Sequence, residues 1–148
     1  MKALIQRVST AAVRVENKIV GQINKGFVVL LGITHNDTKK EALFVADKIA
    51  NLRVFEDDNE KMNLSLKNVN GSALVISQFT LYGDARKGRR PSFTEAARPE
   101  KAIPLYEFFI KEMKKQNIPV ESGEFGAHMN VEIHNSGPVT IMIEKNHV

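Results

Sequence analysis

Cysteine is absent from this chain. Its absence removes disulfides, thiolate nucleophiles and cysteine-based zinc sites, and it suits a cytosolic protein. Long hydrophobic runs are missing too. The longest, Phe27-Val28-Val29-Leu30-Leu31, falls far short of the roughly 20 apolar residues a membrane span requires. The opening Met1-Lys2-Ala3-Leu4-Ile5-Gln6-Arg7 lacks the apolar core and cleavage site of a secretory signal, so a cytoplasmic location without membrane association is expected. Aromatic residues amount to 7% and form no motif of the kind that stacks single-stranded RNA bases. No G-x-S-x-G elbow, Walker A loop, H-E-x-x-H or G-x-G-x-x-G occurs. His35, His128, His134 and His147 lack flanking ligand residues, and the acidic group Glu56, Asp57, Asp58 and Glu60 lacks EF-hand spacing. Neither a metal nor a cofactor is expected.

What remains is the composition of one ordinary globular domain, residues 1–148, with 43% hydrophobic and 26% charged residues. Residues rich in β-branching at 4–8, 12–15, 18–23 and 27–33 predict four strands, broken at Asn17, Gly21, Asn24 and Gly26. A helix is expected from about Lys39 to Leu52. Thr38 caps it, Glu41 completes a capping box, and Leu43, Ala46, Ile49 and Ala50 form its buried stripe. An irregular segment holding Lys61-Met62-Asn63-Leu64 follows, then Ala73-Leu74-Val75-Ile76 as a strand buried on both faces. A second helix is expected over about 99–116, with Pro99 and Pro104 near its first turn and Ile103, Tyr106, Phe109, Ile110 and Met113 on its apolar side. Two last strands, 129–134 and 139–143, complete an α+β fold with a mainly antiparallel or mixed sheet and two principal helices.

Three segments carry chemistry. In Ser77-Gln78-Phe79-Thr80-Leu81-Tyr82-Gly83 the pattern turns polar directly after a buried strand, which describes either a strand end tied down by its own hydroxyls or the lining of a cleft. Gly137-Pro138, between the last two strands, is either a plain turn or a rigid backbone device. From Asp84 to Lys101 lie Arg86, Lys87, Arg89, Arg90, Arg98 and Lys101 against Asp84, Glu95 and Glu100. Within a chain of net charge +4, this is either a solvated loop or a phosphate-binding patch.

Taken together, these segments resemble the D-aminoacyl-tRNA deacylase family. The resemblance runs from Ala3-Leu4-Ile5-Gln6-Arg7-Val8 through Lys61-Met62-Asn63-Leu64, Ser77-Gln78-Phe79-Thr80-Leu81 and Arg90-Pro91-Ser92-Phe93. It continues through Gly123-Glu124-Phe125-Gly126-Ala127-His128-Met129 to Asn135-Ser136-Gly137-Pro138-Val139-Thr140. It implies hydrolysis of the ester joining a D-amino acid to the 3′-terminal adenosine of tRNA, by a homodimer with active sites at its interface. It further implies a cis Gly137-Pro138 bond that reaches into the partner's pocket. There it would stand over Ser77, Gln78, Phe79 and Thr80 as the catalytic segment and reject the L form. Arg7 would hold that loop, Ala102, Phe125 and Met129 would form pocket walls, and Arg86, Lys87, Arg89 and Arg90 would meet tRNA phosphates. A wall that rejects one hand by shape cannot exclude glycine, so glycyl-tRNA, including glycine mischarged on tRNA(Ala), is an expected substrate. The alternatives are a non-catalytic RNA-binding module and an esterase of small acyl substrates.

Overall fold

The computed structural model describes residues 1–147. Strands β1 (Lys2–Val15), β2 (Lys18–Ile23) and β3 (Gly26–Gly32) form one antiparallel unit in which β2 and β3 both pair with β1. It is followed by α1 (Lys39–Asn51), the short pair β4 (Phe55–Glu56) and β5 (Met62–Leu64), β6 (Ser72–Ser77), α2 (Pro99–Lys115), β7 (Val120–Ser122) and β8 (Asn130–Glu144). The main sheet runs β2-β1-β3-β6-β7, with β8 paired to the other side of β1. β1 and β3 are antiparallel, whereas β6 joins β3, and β7 joins β6, in parallel. The α+β fold with a mixed sheet and two principal helices is therefore as the sequence suggests.

Side chains of β3 and β6 alternate between two cores, as the two-residue period of a strand requires. Phe27, Val29, Leu31, Ala73 and Val75 join the buried faces of α1 and α2 in the larger core. Val28, Leu74 and Ile76 point the other way into a smaller cluster with Val8 and Val13, edged by the half-buried Leu30, Met129, Val131 and Ile133. α1 begins where expected. Lys40 N donates to Thr38 Oγ1 at 3.2 Å and Thr38 N donates to Glu41 Oε2 at 2.6 Å, which closes the capping box.

Several expectations need correction. The segments 4–8 and 12–15 are one strand, because β1 exchanges β3 for β2 midway along one edge while β8 follows it along the other. Leu43 is exposed on α1, and Ala42 and Val45 take the buried places assigned to it. Ile103 is likewise exposed on α2, where Ala102 and Leu105 face the core. Pro104 stands inside the second turn of α2 rather than at its start. Within the segment expected to be irregular, Met62–Leu64 form a short strand paired with Phe55–Glu56. The last two predicted strands are the single strand β8, and Gly137-Pro138 lies within it.

Candidate active site

Parallel strands deliver their C-terminal ends to one side of a sheet, and crevices open there. β6 ends at Ser77 opposite Leu31 of β3, and Gln78 N then donates to Leu31 O at 2.8 Å, the last tie before the chain leaves the sheet. A 3-10 turn, Phe79–Tyr82, follows at once. A cavity of about 570 Å³ opens beside it. Its floor is Ile76, Ser77, Gln78 and Phe79, and one wall is Phe93, Ala96, Ala97 and Pro99. The opposite wall is the loop from Phe125 to Met129, with Val131 behind it. The lining is mostly apolar with a few polar groups gathered at one side, which is the usual character of a small-molecule site.

The floor offers donors. Among the described residues, no acceptor takes the amide hydrogens of Phe79 or Thr80, and Gln78 places no side-chain cap on the turn. Gln78 Nε2 instead donates to Thr80 Oγ1. The Thr80 hydroxyl bonds to no histidine or carboxylate among the described residues, and Thr80 does not line the cavity. The turn is therefore well supplied with free backbone N–H groups and poorly supplied with a base.

The Phe125 wall is fixed from behind. Val75 O on β6 accepts both Tyr106 Oη, at 2.9 Å, and Gly123 N, at 3.2 Å, so helix, strand and the start of the loop meet at one carbonyl. Burial pushes the Tyr106 phenol up to about 12, against a smaller opposing effect of a hydrogen bond with Ser122. The Phe125 ring then packs edge-on against Tyr106, with centroids 5.8 Å apart. Ala102 is buried on α2 and is not part of the cavity lining.

The Gly137-Pro138 segment is built differently from a turn. β1 and β8 pair at Gln6↔Thr140 and next at Val8↔Asn135, so residues 136–139 stand opposite Arg7 alone. They form an outward bulge in which Gly137 and Pro138 are exposed and the bond between them is cis. The neck is closed by Val139 N donating to Asn135 Oδ1 at 3.1 Å and Asn135 Nδ2 donating to Thr140 Oγ1 at 2.9 Å. Beneath it, Arg7 is 7% exposed. Its Nε donates to Ser136 O at 3.0 Å, Nη1 to Val54 O at 2.7 Å, and Nη2 to Glu56 Oε1 at 3.3 Å. Neither Gly137 nor Pro138 lines the cavity of its own chain.

Beyond the 3-10 turn, the basic residues occupy a tongue. Asp84 and Ser92 exchange backbone hydrogen bonds of 2.8 and 2.9 Å, and Arg86, Lys87, Arg89 and Arg90 lie exposed in the loop beyond that neck. Arg86 grips the Asp84 carboxylate with Nε at 2.9 Å and Nη2 at 2.8 Å, and those bonds hold the Asp84 pKa at about 2. Tyr82 ends the turn, with its hydroxyl buried. Burial, together with the charges of Asp37 and Glu144, pushes its phenol well above the ordinary range.

The structure thus brings together Ser77, Gln78, Phe79, Phe125 and Met129, and leaves Thr80, Ala102 and the Gly137-Pro138 bulge outside that cavity. Sequence reasoning overlooked Phe93, Ala96 and Ala97 as lining residues. The signal available was Phe93, an aromatic residue directly after the basic tongue.

The family model described as D-Tyr-tRNA(Tyr) deacylase matches residues 4–144. Among similar proteins, the D-aminoacyl-tRNA deacylase of Clostridioides difficile (strain 630) is 56% identical over 146 residues, covering 99% of this chain and 98% of that protein. That of Thermosipho melanesiensis is 52% identical over 149 residues, covering 100% and 99%. A solved structure titled c-Myc DNA Unwinding Element Binding Protein superposes with a TM-score of 0.92 at 40% identity, covering 99% of this chain and all of the other. A probable eukaryotic D-amino acid tRNA deacylase superposes with a TM-score of 0.81 over 96% of this chain, and at 18% identity it attests the fold alone.

Proposed function

The chain belongs to the D-Tyr-tRNA(Tyr) deacylase family and is a hydrolase of the ester of D-aminoacyl-tRNA, and from that premise we propose how its own residues divide the work. The single observation that carries this reading is a pair of consecutive unclaimed amides, that of Phe79, which lines an apolar cavity, and that of Thr80 next to it in the turn. Water adds to the ester carbonyl carbon, the carbonyl oxygen gains negative charge, and the 3′-oxygen departs with a proton. Backbone N–H groups aimed at that oxygen contribute about 3 kcal/mol each to the transition state. The terminal ribose supplies the rest. Its 2′-hydroxyl, vicinal to the leaving oxygen, orients the water and relays the proton, because Thr80 has no base beside it among the described residues.

Discrimination lies in a different element. L and D esters have equal solvation and equal functional groups, so a wall must tell them apart by shape. The exposed Gly137-Pro138 backbone is that wall. Glycine presents no Cβ, proline has a fixed torsion, and Arg7 holds the carbonyl of Ser136 from below. Since the bulge stands outside its own cavity, it serves the cavity of a second copy. A homodimer is supported by the free outer edge of the fifteen-residue β8 among the described residues, and by Phe79 and Met142, 56% and 46% exposed. Glycyl-tRNA, including glycine mischarged on tRNA(Ala), passes the wall for want of a side chain to meet it. The tongue residues Arg86, Lys87, Arg89 and Arg90 take acceptor-end phosphates.

The test compares D- and L-aminoacyl-tRNA in single-turnover assays, with a parallel substrate ending in 2′-deoxyadenosine. Cleavage of the D ester, sparing of the L ester, and a rate at least about 100-fold lower for the deoxy substrate are expected. If Thr80→Ala abolished turnover while the deoxy substrate reacted normally, the threonine would replace the ribose in this scheme. An RNA-binding module would cleave neither hand.

A further inference from the structure

The turn proposed to stabilise the oxyanion contains no buried residue, since Phe79 and Thr80 are exposed and Leu81 and Tyr82 only half-buried. Of its own side chains only Tyr82 reaches inward, with a buried hydroxyl, and none belongs to either hydrophobic core. A donor array misplaced by about 1 Å forfeits on the order of 100-fold in rate, so something outside the turn must set its position. Lys2 Nζ reaches Leu81 O at 3.5 Å and stands 4.7 Å from the centre of the Tyr82 ring, and two further contacts hold the turn from opposite sides.

Below the turn is Gly32, the last residue of β3. A Cβ built there would stand 3.1 Å from Leu81 Cβ, 3.2 Å from Gln78 O and 3.3 Å from Tyr82 Cδ2. The turn thus rests directly on bare backbone, closer than an alanine allows without displacing it. Above the turn is Phe93. A Cβ at Gly83 would lie 2.9 Å from Phe93 Cε1 and 3.0 Å from Thr80 O, so the phenylalanine edge lies over the end of the turn where glycine leaves room. The same ring meets Phe79 edge to face, with centroids 5.2 Å apart and planes at 75°. Phe93 follows Ser92 directly, and the Asp84–Ser92 backbone bridge fixes where it begins.

We infer that Phe93 is a positioning residue for the deacylation step, clamping the Gln78–Tyr82 turn against Gly32 so that the Phe79 and Thr80 amides keep their aim. This deepens the reading of that turn as the oxyanion-binding element and rests on it. Phe93 itself donates no proton and accepts none. Because the ring sits at the root of the basic tongue, RNA phosphates bound there and the amides that serve the ester are set by one short length of backbone.

Loss of the clamp should slow chemistry more than it weakens binding. The experiment is single-turnover D-aminoacyl-tRNA hydrolysis across enzyme concentrations, with wild type, Phe93→Ala, Phe93→Tyr and Gly32→Ala. The Phe93→Ala variant is expected to lose at least about tenfold in maximal rate while the half-saturating concentration moves less than about twofold, the mark of an interaction felt in the transition state. Phe93→Tyr restores the rate. Gly32→Ala, which pushes the turn from the other side, slows it too. Hydrogen exchange at the Leu81 and Gly83 amides, now bonded to Gln78 O and Thr80 O, quickens in both slow variants. A Phe93→Ala rate within about twofold of wild type, or a defect confined to half-saturation, overturns the inference. Should Gly32→Ala not fold, the Phe93 variants decide alone, since Phe93 is 39% exposed and belongs to neither core. Failure of the wild type to cleave the D ester takes down the parent reading as well, whereas an active wild type with an indifferent Phe93 sinks the clamp only.

Discussion

A cation buried at position 7 of a chain must answer for its charge with fixed partners. Arg7 does so with two backbone carbonyls, Val54 O and Ser136 O, and one carboxylate, Glu56. These join β1, β4 and the bulge of β8 at one planar group, a fork geometry lysine does not reproduce. Replacing Arg7 by Met keeps much of the bulk and removes all three donors. Each carbonyl left without a partner costs about 1–3 kcal/mol, so Arg7→Met is expected to lower unfolding free energy by about 2–6 kcal/mol in urea titrations. An unchanged midpoint would mean the three bonds contribute nothing net. Little of this was legible from composition. An arginine in an alternating strand reads as solvent-facing, and only the resemblance of the surrounding segments suggested that position 7 supports the Gly137-Pro138 loop. Ala102 illustrates the reverse. Resemblance suggested a pocket wall, yet its place on the buried side of α2 follows from helical spacing with Leu105, Tyr106 and Phe109.

Helix α1 shows how far an element can be read from its letters. Thr38 and Glu41 specify a capping box by type and spacing, and the structure closes it. The error at Leu43 arose because hydrophobicity marks candidates for burial without choosing the face, and the phase of the helix turns Ala42 and Val45 inward and Leu43 outward. The same cap gives a pH prediction. Burial raises the Glu41 pKa, but hydrogen bonds from the Thr38 hydroxyl and backbone, with lesser help from its own amide and His147, outweigh it and hold the group at about 2, against 4.5 for an unperturbed side chain. A carboxyl whose folded value is depressed stabilises the native state fully above its unfolded value, and that contribution is lost as pH falls through the folded one. Wild type should therefore be more stable than Glu41→Gln at neutral pH, and the gap between their melting temperatures should close between about pH 4.5 and 2. A gap constant over that range would show that the ionised carboxylate contributes nothing there. Strand β8 is the harder lesson at this scale. A glycine-proline pair reads as the end of a strand, but one bulge lets four residues stand opposite Arg7 while pairing resumes at Asn135.

At the scale of the molecule, the sequence announces its strands and helices but not which ends they bring together. That β3 and β6 run parallel, and so open a cavity beside Ser77, depends on a crossover through α1 that no local pattern encodes. The order of motifs along the chain carried that information only through family resemblance. The placement of the bulge outside its own cavity has a consequence that can be measured by mixing. Take a cavity-blocked chain, Ala127→Trp, with its bulge intact, and a bulge-damaged chain, Gly137→Ala. In the second, the new Cβ would meet Arg7 Nη2 and Val139 Cγ2, each at 2.9 Å, at a backbone φ of +126° that L residues rarely adopt. Alone, the first is expected to hydrolyse neither hand and the second, on the proposed role of the bulge, to admit L esters. On the proposed pairing of two copies, refolding them together in equal amounts should leave half of the open cavities facing an undamaged bulge from the blocked chain. Hydrolysis of L-aminoacyl-tRNA per open cavity should then drop to about one-half, since random pairing in a two-fold dimer places half of the Gly137→Ala chains in mixed pairs. If each bulge instead guarded the cavity of its own chain, mixing would leave L hydrolysis per Gly137→Ala chain unaltered, and the wall would have to reach its target by folding back across β1.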